Sequence, residues 1–223
     1  MAFPRLLHAL PAAALFALGL AGGAAADTSA GASYVINLGG NIIATANFKL
    51  TDSNGSYQLA LNANVSGVAS LVAAGTAKAD SAGSVSAAGL QSNAFKLITH
   101  ASGQQFSVQV QYSGGNVSAF VIDPPIVNNI DRVPVERNQL SGVNDMLAAF
   151  LLRGPKLDRS LCDHHAQIFT GIERFDLDFR YAKDDVATSP RTGYQGPVVL
   201  CNIAYKPISG HYTTYELTNS LTQ

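Results

Sequence analysis

Two cysteines and three of the five histidines fall in the last third of the chain. Cys162, His164 and His165 lie within four residues of one another, with Cys201 and His211 downstream. Two thiolates and two imidazoles are a tetrahedral zinc set. Against that, adjacent residues on a strand point to opposite faces, so His164 and His165 would diverge there; the plainer expectation is a solvated loop carrying two histidines. In an oxidising compartment the two thiols are expected to pair as a structural Cys162–Cys201 disulfide, with no metal. That bridge closes a loop of about 39 residues and restricts the unfolded chain by about 4 kcal/mol. The wide spacing does not suit a redox centre, which prefers a close Cys-x-x-Cys pair.

The second candidate is a carboxylate pair. Asp176 and Asp178 fall on one side of a strand, as paired acid–base groups must, but Arg174 and Arg180 flank them. Neighbouring guanidinium groups hold carboxylates ionised, whereas a general acid needs a raised pKa. A structural ladder of alternating charge is expected. The chain has no Gly-x-Ser-x-Gly elbow and no His-Glu-x-x-His, and Gly39-Gly40 is not followed by a phosphate-loop lysine. No catalytic residue, enzymatic activity or cofactor is therefore expected.

The surroundings are read from the N-terminus. Arg5 and His8 head an apolar stretch over residues 6–21, and Ala24-Ala25-Ala26 supplies the small-residue pattern a signal peptidase reads. The stretch is short for a membrane span of about 20 apolar residues, and the nearest cysteine to the cut is Cys162, so no lipid anchor is expected. Residues 1–26 are thus read as a signal peptide, and 27–223 as a single β-rich domain in the periplasm of a Gram-negative bacterium, or secreted. The formal net charge is −1 and no basic block occurs, which argues against nucleic acid and against a polybasic membrane tether. After leader removal no second span is expected.

These residues need elements to hold them. Charge is uneven: residues 27–122 carry 6 charged side chains and residues 123–223 carry 22. The front half still alternates apolar and polar side chains, which disordered polar tracts do not do. Ile42, Ala44, Ala46, Phe48 and Leu50 share one face of a strand. Asn54-Gly55 supplies a tight turn, and Tyr57, Leu59, Leu61, Ala63 and Val65 continue inward. Phe106, Val108, Val110 and Tyr112 repeat the pattern, and Gly114-Gly115 turns the chain again. The stretch 66–89 is read as strand plus turn. A helix over about 141–153, inserted between two β runs, is expected from Val143, Leu147, Phe150 and Leu151, with Ser141 as N-cap and Gly154-Pro155 as stop. Phe175, Leu177, Phe179 and Tyr181, then Val199, Cys201, Ile203 and Tyr205, form the later strands. The fold class is mainly β, an antiparallel meander forming an open or half barrel with one packed helix.

The run Ile168-Phe169-Thr170-Gly171-Ile172-Glu173-Arg174-Phe175-Asp176-Leu177 and the ending Cys201-Asn202-Ile203-Ala204-Tyr205-Lys206-Pro207-Ile208-Ser209-Gly210-His211 resemble domain-of-unknown-function family 3108, uncharacterised exported bacterial proteins, in its alphaproteobacterial form. The resemblance implies a lipoprotein-carrier-like open barrel and brings no catalytic residues. It also implies a further strand pair after Gly210-His211, where this chain offers only a short polar tail.

Two functions follow as expectations. In the first, a curved sheet binds an apolar small molecule or lipid, with Ala44, Ala46, Phe48, Tyr57 and Ala63 facing the ligand beneath the helix. In the second, an open sheet edge binds an envelope protein by strand addition.

Overall fold

A computed structural model describes residues 28–38, 40–66, 75–86, 89–126, 131–154, 156–188 and 193–213. The leader read in residues 1–26, and the tail beyond 213 where the further strand pair was implied, lie outside the described residues.

The front half is one antiparallel meander of seven strands: β1 (Thr28–Leu38), β2 (Asn41–Ser53), β3 (Ser56–Val65), β4 (Gly75–Ser86), β5 (Gly89–Ala101), β6 (Gln104–Ser113) and β7 (Asn116–Asp123). Their spatial order is their chain order, so the sheet stays open rather than closing into a barrel. Hairpins enforce this order. Asn54 and Gly55 take φ of 51° and 74°, and Gly114 and Gly115 take 57° and 77°, the left-handed pair that a two-residue turn between twisted strands requires. A second, three-stranded antiparallel sheet follows: β8 (His164–Phe169), β9 (Arg174–Ala187) and β10 (Gly196–Ser209), with β9 in the middle.

Among the described residues a single five-residue helix, α1 (Met146–Phe150), lies between the two sheets. Leu147 and Ala148 enter a core with Tyr57, Leu59, Phe95, Val108 and Val110 of the large sheet. Ala149 enters a second core with Ile168, Phe175, Leu177 and Phe179 of the small sheet. So short a helix is not stable alone; burial on both sides holds it.

The helix is shorter than the expected 141–153, and its N-cap is Asp145, not Ser141. The reason lies in bonds made by the residues before it. Val143 N–H donates to Gly115 O at 3.0 Å, Asn144 N–H donates to Gln167 O at 2.9 Å, and Asn144 O accepts from Phe169 N–H at 3.1 Å. Gly142 takes φ of 71°. Backbone groups already paired to β8 and to the β6–β7 turn cannot also join a helical ladder. At the other end Leu151 N–H bonds back to Ala148 O, closing the last turn tightly.

Candidate functional site

The cysteine and histidine set does not converge. Cys162 ends a 3-10 turn (Arg159–Cys162) and is bonded to Cys201 on β10, with Cα atoms 5.5 Å apart. His164 and His165 lie on β8, not in a loop, and point apart as strand neighbours do. The His164 ring packs tilted against Phe179 with centroids 5.5 Å apart, and burial together with His165 lowers its pKa. His165 Nδ1 bonds Asp178 Oδ1 at 2.8 Å, which holds the Asp178 carboxyl below its ordinary range. His211 is buried beyond the end of β10. Among the described residues no three His, Cys, Asp or Glu side chains are grouped to hold a metal ion.

The charged ladder of β9 is also committed. Arg174 and Asp176 are 5 % and 7 % exposed, so this half of the ladder is covered rather than wet. Arg174 pairs with Asp176 along its own strand, donates Nε–H to Gln139 O at 3.0 Å and caps Phe175 O at 2.8 Å. The 3-10 turn over Arg137–Leu140 supplies that carbonyl and roofs the pair.

Against the large sheet sits Asp145, the N-cap of α1, with no solvent exposure. Its Oδ1 accepts the Leu147 and Ala148 amides at 2.8 and 3.0 Å. Its Oδ2 accepts the hydroxyls of Ser81 on β4 and Ser92 on β5, both at 2.6 Å. Tyr57 OH, from β3, lies 3.1 Å from Ser81 Oγ. Burial raises the Asp145 pKa, and the four hydrogen bonds oppose the rise. Burial, with the Asp145 charge, likewise pushes the Tyr57 phenol up. The cluster ties α1 to three strands.

Beside it opens an apolar cleft of about 330 Å³, lined by Tyr34, Phe48, Leu61, Met146, Leu147, Phe150 and Leu151. Strands β1–β3 give one wall and α1 with the residue after it gives the other. Phe150 is 52 % exposed and Tyr34 54 %, and Phe150 also packs edge-on against Phe179 of the small sheet at 6.3 Å. The cleft is thus walled by the large sheet and α1, and Phe150 joins that wall to the small sheet.

Of the five residues expected to face a ligand, Phe48 lines this cleft. Ala46 pairs with Ala63, and Ala44 with Val65, in the β2–β3 ladder behind it; Ala46 is buried. Tyr57 is 1 % exposed and belongs to the Asp145 cluster. Leu61, Leu147, Phe150 and Leu151 were visible as periodic apolar positions but not as cleft walls. Nothing in the small-residue run around Tyr34 announced it. Asp145 falls inside the helix expected over 141–153, and no spacing in the sequence ties it to Ser81 or Ser92.

No curated protein matches this chain, and no solved structure does. One family model does, over residues 33–218: the chain belongs to the family described as "Protein of unknown function (DUF3108)".

Proposed function

We propose that this is a non-enzymatic cell-envelope protein that holds an apolar ligand, a lipid or its acyl chain, in the cleft between α1 and β1–β3. The observation that carries the reading is the cleft wall: all seven lining side chains are hydrophobic or aromatic, and two of the aromatics remain half exposed around a concavity. Large apolar surface kept open in a concave site is what a ligand covers. A volume of about 330 Å³ sits at the low end of ligand pockets, about 300–1,000 Å³, and suits part of a chain rather than a whole lipid. The groups that offered catalysis are engaged elsewhere: the thiols with each other, Asp176 with Arg174, and His165 with Asp178. The leader reading puts capture in the periplasm. Among the described residues no helix is long and apolar enough to cross a membrane.

The test is native mass spectrometry of protein purified from its own periplasm, before and after adding palmitate. Co-purified lipid, or a palmitate adduct, supports the reading. A bare chain that takes up no palmitate ends it.

A second reading has its own observation. Among the described residues β1 is bonded to a strand on one side only, so an envelope protein can add a strand there. Crosslinking in intact cells from a photoreactive residue on β1 yields a defined protein adduct if this holds, and none if it does not.

A further inference from the structure

We propose that the open edge of β1 pairs with β1 of a second copy of this chain, antiparallel about a two-fold axis through Ser33, so that two large sheets become one. The proposal rests on the edge-pairing reading and names its occupant; it is independent of the ligand.

An exposed edge strand is ordinarily defended by shortness, by lysine or proline, or by a bulge that twists it away. β1 is eleven residues long, Thr-Ser-Ala-Gly-Ala-Ser-Tyr-Val-Ile-Asn-Leu, with no charge and no proline. Its one register shift, between Ile36 and Asn37, lies near the end. Tyr34, Val35 and Ile36 are 54 %, 56 % and 43 % exposed. These three present large apolar side chains on both faces of a strand that, among the described residues, is flanked by another strand only on its β2 side.

Register singles out the second copy. Ser33 is the midpoint of Thr28–Leu38, so pairing about Ser33 is the one two-fold register that uses the whole strand. On the face shared with Phe48 and Ala46, Tyr34 then stands opposite the second copy's Ala32, and Ile36 opposite its Ala30. On the other face Val35 stands opposite its Gly31. Every large residue meets a small one, in both directions at once, as an isologous contact demands. Moving the axis to Tyr34 would set two tyrosines against each other and strand two residues at an end. Charge permits the same register. Lys49 neighbours Gly31, and Thr45 neighbours Val35, so the outer row runs Lys49, Gly31, then the second copy's Val35 and Thr45, with no like charges side by side. The axis is perpendicular to the sheet, so both clefts open on one side. Tyr34, a wall of each, comes to the seam.

Sedimentation equilibrium of the periplasm-purified protein over a concentration series tests this, together with Ser33→Lys, Ser33→Glu and Ser33→Ala. Ser33 is exposed and its hydroxyl bonds Asn47 on the next strand, so the circular-dichroism spectrum should not change. The expected result is a dimer in the wild type and in Ser33→Ala. Ser33→Lys and Ser33→Glu alone should each dissociate at least tenfold more readily, because like charges then face each other on the axis. Mixing those two variants restores a dimer. A monomer at every concentration, or a Ser33→Lys dimer as tight as the wild type, overturns the proposal. If a β1 crosslink to a different protein nonetheless forms in cells, the edge reading survives without this occupant; if no adduct forms, both fall.

Discussion

Ser92 and Asp145 clasp each other in both directions: the Ser92 hydroxyl donates to Asp145 Oδ2 at 2.6 Å, and the Asp145 amide donates to the same Ser92 oxygen at 2.9 Å. Next to this pair, Asn144 Oδ1 accepts the Ser92 amide at 3.0 Å, and Asn144 Nδ2 donates to Leu90 O at 3.1 Å. The start of α1 is thereby sewn to the one place on β5 where the β4–β5 register shifts, between Ala82 and Gly83. The cleft wall formed by Met146, Leu147 and Phe150 is positioned through this junction.

Removing the Asp145 side chain should therefore loosen both the helix and its seat. Asp145→Ala leaves two buried hydroxyls and two amides without their acceptor. A lost N-cap costs about 1 kcal/mol and stranded buried donors cost about 1–3 kcal/mol more, so about 3 kcal/mol is expected. Asp145→Asn keeps one carbonyl for the amides, and serine hydroxyls can accept from its NH₂, so it should lose distinctly less. Urea unfolding of the three proteins measures the order; equal losses would mean that the hydrogen bonds matter little.

The pH dependence follows from the same residue. Burial raises the folded-state pKa of Asp145 above its ordinary value near 3.8. The folded protein then binds this proton more tightly than the unfolded chain does. Stability from this group is greatest in acid and is lost as pH rises from the unfolded value through the raised folded one. The exposed carboxyls Asp158, Asp178 and Asp185, whose pKa values are lowered, act with the opposite sign. Comparison with Asp145→Asn cancels them. The wild type minus Asp145→Asn difference in unfolding free energy should fall as pH goes from 4 to 8, and a flat difference would contradict a burial-raised carboxyl.

The strands that the sequence discloses are those whose inner face is large and apolar. Val108, Val110 and Tyr112 alternate with glutamines and are buried as that alternation demands. β4 is different: its inner face is Ala79, Ser81 and Gly83, small or polar because Tyr57 and Asp145 fill that space and bond to Ser81. A pattern read one strand at a time cannot see a partner on another strand. β1 is hidden for a related reason, since an edge strand buries little and so carries little periodicity. The cysteine pair was legible because only two thiols exist. The start of α1 was not, because bonds to β8, distant in the chain, take the backbone that Ser141 was expected to cap.

Gly83 illustrates what such a small inner face is for. It stands opposite Tyr57 in the β3–β4 register, and a Cβ there would lie 2.0 Å from Gln91 O and 2.7 Å from Tyr57 Cε1. Neither the backbone carbonyl nor a ring held by two serines can yield cheaply. Gly83→Ala should cost about 3 kcal/mol, the upper end of ordinary overpacking. Gly31→Ala is the control, because its Cβ meets only Phe48 O at 3.6 Å. Thermal melts showing the two variants alike would mean that the β4–β5 junction relaxes.

Phe150 separates ligand binding from folding. Its ring is half exposed and touches the small sheet only edge-on at Phe179, so Phe150→Ala should cost about 1 kcal/mol of stability. It is nonetheless one of the seven cleft walls. Truncation removes apolar contact worth about 1.4 kcal/mol to a bound chain, about tenfold in affinity, and Phe150→Asp should abolish binding by placing a charge in the cleft. Phe120 is a matched control: it is 45 % exposed, also packed edge-on against one phenylalanine, Phe169, and it lies on β7 at the far edge of the sheet from β1. Titration with the fluorophore N-phenyl-1-naphthylamine, competed by palmitate, should show weakened binding for Phe150→Ala and unchanged binding for Phe120→Ala. Equal effects at both positions would move the ligand out of the α1 cleft, because only Phe150 belongs to it.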